Sequence, residues 1–256
     1  MKTALVLSAG GMFGAYQAGV WSVLADCFEP DLIVGASIGA VNGWAIAGGC
    51  PPAELIDRWL TLDCAANYRW RFPIRGGVLD GRSVMASVDD VYAKYRRRVD
   101  CAVVVTDLAR LRPRIFRNED VTAALLRAST AIPCIFDQVR IGNKLYSDGG
   151  LLNALPIWAA AELGADTIIA VNAMTRLPGL LPNLFVDTVR WISGFRAETP
   201  AHAEVIRITP RGFLGTGLDI LNWKRENTER WIEQGRRDAL EQKPSIERTA
   251  RRVLRT

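Results

Sequence analysis

The apolar run Leu32-Ile33-Val34 breaks at Gly35-Ala36-Ser37-Ile38-Gly39 and resumes as a helical stretch from Ala40 to Ala47. A strand that turns abruptly into an apolar helix buries both when the helix packs back on a face of the sheet, so this one stretch already directs the chain toward an α/β architecture. It also places a serine on the turn. Gly35 and Gly39 let the backbone close sharply without Cβ clashes, which pushes the Ser37 hydroxyl out at the strand end, and the helix that follows aims free N–H groups at any negative charge developing there. A glycine-rich turn that merely reverses the chain is the plainer alternative.

A second glycine cluster follows another apolar run. After Thr3-Ala4-Leu5-Val6-Leu7 come Ser8-Ala9-Gly10-Gly11-Met12-Phe13-Gly14 and a helical stretch, Ala15 to Leu24. Consecutive glycines allow main-chain amides to approach a ligand closely, and such a loop cradles an oxyanion or a phosphate. For acyl transfer the expected donors are the amides of Gly10 and Gly11, supplemented by Ile38, the residue after the serine. The competing dinucleotide reading uses Ala9, Gly11 and Gly14 at the right spacing. It wants an acidic residue at the far end of the second strand, about twenty residues on, where this chain instead has the Ser37 turn; Asp31 stands at the strand's beginning.

The third piece is Tyr146-Ser147-Asp148-Gly149-Gly150-Leu151. Asp-Gly is ordinarily a turn signal. His202 is the only histidine of the chain, however, so a serine nucleophile has either that imidazole or a carboxylate as its base. Ser37, Asp148 and His202 do occur in the order of a serine triad, but His202 lies in a polar stretch, Glu198 to Glu204, where a solvated ring is the ordinary expectation.

Taken together, these residues resemble the patatin-like phospholipases and acyl hydrolases, which pair a G-x-S-x-G serine with an aspartate in a D-G-G or D-G-A motif behind a glycine-rich loop. Ala15-Tyr16-Gln17-Ala18-Gly19-Val20 and Ala128-Ser129-Thr130-Ala131-Ile132-Pro133 are also similar to its bacterial members. The resemblance implies a three-layer α/β/α fold, Ser37 as nucleophile, Asp148 as base, Gly10 and Gly11 as the oxyanion loop, and Gly14, Gly35, Gly39, Gly149 and Gly150 as motif glycines. It implies a lipid or other acyl ester as substrate, with no metal and no cofactor. Two positions depart from the family pattern: Ala9 replaces the first glycine and Phe13 replaces an Arg or Lys. Phe13 puts phospholipid preference in question, and an inactive lipid-binding or scaffold protein on the same fold is the alternative it favours.

Length and pattern agree with a single domain over 1–256. Apolar runs at Thr3–Leu7, Leu32–Val34, Ala102–Val105 and Thr167–Val171 alternate with helical stretches, predicting a mostly parallel sheet covered on both faces. From Arg207 to Thr256, twelve Lys and Arg face seven Asp and Glu, so the basic excess of the chain collects in a portion expected to be a solvated, mostly helical tail with weak attraction to anionic membrane surfaces. Leu181, Leu184, Phe185, Ile192 and Phe195 recur at helical spacing; packing on the core is the first expectation, contact with lipid the second. The basic-aromatic stretch Arg69–Gly77 suits a lid or surface loop, and nothing resembles a nucleic-acid reader. Cys27, Cys50, Cys64, Cys101 and Cys134 show no metal-clip spacing and are expected to be reduced and buried. No stretch approaches the length of a spanning helix, and the expected location is cytoplasmic, with peripheral membrane contact. Oligomeric state is not encoded in these features.

Overall fold

The computed structural model describes residues 1–62, 77–174, 180–198 and 203–253. In chain order the elements are β1 (Thr3–Leu7), α1 (Gly14–Leu24), β2 (Leu32–Ala36), α2 (Ile38–Ala47), α3 (Pro52–Leu60), α4 (Arg82–Lys94), β3 (Asp100–Asp107), β4 (Arg112–Arg117), α5 (Ala123–Ser129), β5 (Val139–Ile141), β6 (Lys144–Ser147), α6 (Ile157–Glu162), β7 (Thr167–Val171), α7 (Leu180–Ser193), β8 (Glu204–Ile208) and α8 (Arg225–Val253). The four strands expected from the sequence are present, and they form the parallel centre of the sheet with β8 added, in the order β3-β2-β1-β7-β8. The sheet is mixed, because β4 and β6 pair antiparallel with β3, and β5 pairs antiparallel with β6.

Strand alternation distributes the core over two faces. Leu5, Leu7, Ile33, Val103, Val105, Ile169 and Val171 point to the side covered by α1, α2, α5 and α8. Ala4, Val6, Leu32, Val34, Ala102, Val104, Ile168 and Ala170 point to the side covered by α6. Both faces of the central strands are buried, as parallel strands under helices require.

The register of β3 sets the position of the site. β4 occupies one edge of β3 from Ala102 to Asp107, so β2 and β6 share the other edge. β2 runs up it and ends with Ala36 beside Val104. β6 runs down it and ends with Ser147 beside Thr106. The residues that follow, Ser37 and Asp148, therefore meet end to end in the one-residue gap beside Val105.

Three expectations need correction. α7 forms where the periodicity puts it, but Leu184 and Ile192 are exposed, so the stripe is not packed on the core at these two positions; Phe195 packs edge-on against Trp158, and the side chains of Leu181 and Phe185 lie outside the description. The basic tail is not solvated all round. α8 buries Trp231, Ile232, Ala239 and Ile246 in the core and, apart from the buried Asp238, keeps its charges away from that face. Among the described cysteines, Cys134 is exposed, Cys27 partly so, and Cys50 and Cys101 are buried. Cys64, His202 and residues 69–76 lie outside the described residues.

Candidate active site

Ser37 sits between β2 and α2 with φ 54° and ψ −130°, a combination that a residue with a Cβ adopts only when its surroundings impose it, at a cost of roughly 1–3 kcal/mol. The surroundings are unusually close. A Cβ on Gly35 would stand 2.3 Å from the carbonyl oxygen of Gly39, and one on Gly39 would stand 2.4 Å from that of Leu7. These two glycines let α2 descend directly onto the ends of β1 and β2, which leaves the Ser37 side chain as the group that projects from the turn.

The Ser37 hydroxyl donates to Oδ2 of Asp148 at 2.6 Å, and both residues are buried. The other carboxylate oxygen, Oδ1, accepts the amide of Gly150 at 2.7 Å, and Thr106 Oγ1 donates to the Asp148 carbonyl at 2.9 Å. Gly149 lies against the Val104 carbonyl too closely for any Cβ. Burial pushes the Asp148 carboxyl up to about 6, against the opposing pull of the Ser37 hydroxyl and the Gly150 amide. A carboxylate with a proton affinity near that of an imidazole is thus held against a serine hydroxyl.

Before the first helix, Gly11 to Phe13 make one tight turn, with Gly11 at φ 53°. The Met12 amide donates to the Ile220 carbonyl at 2.9 Å and the Ala9 amide to that of Ala154 at 2.8 Å. Between them, the amides of Gly10 and Gly11 meet no acceptor among the described residues, and both glycines line the same cavity as Ser37 and Asp148. Ile38 is the first residue of α2, where an amide has no partner inside its own helix; its side chain faces a different hollow, beside Trp59. Gly14 opens α1 under the Trp59 ring. Phe13, at the position where the resembling family carries a cation, is buried with its ring edge-on to Trp231 at 5.1 Å between centroids. An aromatic contact with α8 anchors the loop there.

The cavity holds about 260 Å³. Apart from the residues already named, its walls are apolar: Ile132, Pro133, Ile135, Leu151, Met174, Val186, Ile220 and Leu221 contribute. Asp31, the acidic residue of the dinucleotide reading, bonds the amide and hydroxyl of Thr3 at the opposite end of the strands. No cluster of metal-ligating side chains occurs among the described residues.

Sequence reasoning quoted Ser129 without giving it a task. Its Oγ accepts the Ser37 amide at 2.8 Å and donates to the Val104 carbonyl at 2.8 Å, while its own carbonyl accepts the Gly149 amide at 3.2 Å. The residue ties the serine turn, β3 and the aspartate loop to one point. Ile220 and Trp231 were also missed, because they reach the glycine loop from a part of the chain read only for its charge.

The patatin-like phospholipase family model matches residues 5–161, more than half of the chain. An uncharacterized NTE family protein of Mycobacterium bovis is 30% identical over 178 residues, which is 67% of this chain and 49% of that protein. The rat patatin-like phospholipase domain-containing protein 7 is 28% identical over 188 residues, 68% of this chain and 14% of that protein. This chain therefore spans about half the length of the mycobacterial relative and a small part of the rat one. Among solved structures, VipD from Legionella pneumophila superposes with a TM-score of 0.55 at 13% identity, covering 96% of this chain and 67% of the other, a likeness of fold. The chain belongs to the patatin-like phospholipase family.

Proposed function

We propose that the protein hydrolyses carboxylic esters of lipids through a Ser37–Asp148 dyad and an acyl-enzyme intermediate. The observation that carries this reading is the 2.6 Å contact between the Ser37 hydroxyl and the Asp148 carboxylate, both opening on an apolar cavity. Asp148 takes the Ser37 proton as Oγ attacks the ester carbonyl, and the amides of Gly10 and Gly11, with Ile38 beside them, receive the oxyanion. Asp148 then gives its proton to the departing alcohol. A water molecule, deprotonated by the same carboxylate, attacks the acyl-serine; the acyl–Oγ bond breaks, Asp148 returns the proton to Ser37 Oγ, and the acid is released. The apolar walls suit an acyl chain, and the patatin-like phospholipase family supports a phospholipid source for it. Phe13 does not count against activity on this account, since the oxyanion donors are main-chain groups and its ring holds the loop by packing.

The test is covalent. A fluorophosphonate should label Ser37, as mapped by mass spectrometry, and the label should vanish in Ser37→Ala along with turnover of p-nitrophenyl butyrate. His202→Ala should leave that turnover nearly unchanged; a near-total loss would replace the dyad with a triad. A wild-type protein that neither reacts with the probe nor turns over esters would instead be an inactive member of the fold.

A further inference from the structure

Among the described residues, seven large hydrophobic side chains are exposed, and five of them fall on two short segments. Leu184, Trp191 and Ile192, at 60, 83 and 59% exposure, lie on α7; Phe213 and Leu218, at 73 and 80%, lie between β8 and α8. Both segments also border the cavity that contains Ser37: Val186 reaches it from α7, and Gly217, Ile220 and Leu221 reach it from the other. On α7 the two roles separate by helical geometry. Val186 and the buried Ser193 lie seven residues apart on the inner face, while Leu184 and Trp191 lie seven apart on the outer one. Exposed apolar side chains scattered over a surface need no explanation, but a concentration around the mouth of an apolar pocket does.

We infer that this rim is a docking surface for a lipid bilayer containing anionic lipid, a conclusion that rests on the proposed lipid-ester chemistry for the pocket it surrounds. An acyl chain moving from a bilayer into the cavity would stay in apolar surroundings if the rim lies in the interface, and tryptophan is the side chain best suited to that depth. Charge is complementary in sign. Residues 180–198 and 209–225 carry five cations, Arg190, Arg196, Arg211, Lys224 and Arg225, against Asp187, Glu198 and Asp219. Arg211 and Arg225 are paired with Glu241 and Glu229 of α8, and Asp219 is engaged by Thr216. Arg190 is paired with Asp187, while Arg196 and Lys224 are exposed, so two cationic groups remain for head groups at the edge of the patch. No described helix is long and apolar enough to cross a membrane; the contact inferred is peripheral.

The experiment separates docking from chemistry. Full-length Ser37→Ala protein, unable to consume lipid, is sedimented with vesicles of phosphatidylcholine alone and of phosphatidylcholine mixed with phosphatidylglycerol. Binding is expected to both, tighter to the mixture and weakened there by salt. Trp191→Glu and Leu218→Glu, introduced singly and together, should weaken it about tenfold or more, while in the Ser37-containing protein they leave turnover of soluble p-nitrophenyl butyrate unchanged and reduce hydrolysis of vesicle-borne lipid. Absence of vesicle binding, or binding insensitive to both substitutions, overturns the inference. So does a wild-type dimer in sedimentation velocity that the same substitutions convert to monomer, because the patch then serves a second copy of the chain. Vesicle binding with no fluorophosphonate reaction at Ser37 would leave docking intact and remove the hydrolase reading alone.

Discussion

The groups that touch the Asp148 carboxylate are a hydroxyl and an amide, and neither offsets the loss of solvent, which is why its affinity for a proton rises. If this carboxylate is the base, kcat/KM for a soluble ester climbs about tenfold per pH unit below about 6 and levels off above 7. A plateau that persists down to pH 4 would mean that the base is a solvated acid elsewhere. Ser129 gives a second prediction at this scale. Removing its hydroxyl leaves the buried Ser37 amide and Val104 carbonyl without their partner, at about 1–3 kcal/mol for each group. Ser129→Ala should therefore lower kcat by roughly ten- to a hundredfold with KM little changed, as steady-state kinetics on p-nitrophenyl butyrate would register. A drop confined to KM would refute this positioning role. Ser37 and Asp148 were legible in the sequence because each stands in a local motif flanked by an apolar run. Ser129 was not, because its partner lies 92 residues away and nothing in its neighbours announces a through-space contact.

Among the helices, the seam between α1 and α8 departs furthest from what the sequence suggested. Trp231, Ile232, Gly235, Asp238, Ala239 and Ile246 follow a helical stripe, but the surrounding Arg and Glu outweighed it, and charge was read as solvation. Two glycines make the seam. A Cβ on Gly19 would stand 2.0 Å from the Ile232 carbonyl, and one on Gly235 would stand 2.2 Å from that of Tyr16. The Tyr16 hydroxyl then donates to Asp238 at 3.0 Å across the interface. Alanine ordinarily stabilises a helix interior by about 1 kcal/mol over glycine. Here the obstacle is backbone, which no rotamer change removes, so Gly19→Ala should destabilise the fold by about 2 kcal/mol in urea denaturation. Because α8 also carries Trp231 against Phe13, ester turnover should fall with it. A variant more stable than wild type would mean that the two helices are not held this closely. α7 shows the complementary limit: its period fixed a helix, but a stripe of apolar side chains does not say whether protein or lipid covers it.

At the scale of the whole molecule, the parallel strands were readable because burial on both faces makes them continuously apolar. β4 was not, since Arg112-Pro113-Arg114-Ile115-Phe116-Arg117 is half charged, as an outer strand with solvent on one side can be. Yet β4 matters to the site: by filling one edge of β3 it makes β2 and β6 meet on the other. The fold thus brings a carboxylate to a place where burial opposes its charge, and this should weaken the folded state as a whole. In the unfolded chain Asp148 titrates near 3.8, and in the folded protein near 6. Between these values the folded state holds more protons than the unfolded one, so this residue's contribution to stability declines as pH rises through that window and stays lowered above it. About two pH units of displacement correspond to roughly 3 kcal/mol. Asp148→Asn keeps an oxygen to accept from Ser37 and carries no charge, so it should raise Tm at pH 8 by about 5–10 °C for a protein of this size while abolishing turnover. At pH 4, where the wild-type carboxyl is protonated in the folded state and half protonated in the unfolded one, the gain should nearly disappear. Differential scanning calorimetry of the two proteins at both pH values isolates this one group, because every other titrating residue is common to them. A Tm difference that is the same at pH 4 and pH 8 would show that Asp148 carries no burial penalty, and with it would go the reason for its working as a base near neutrality.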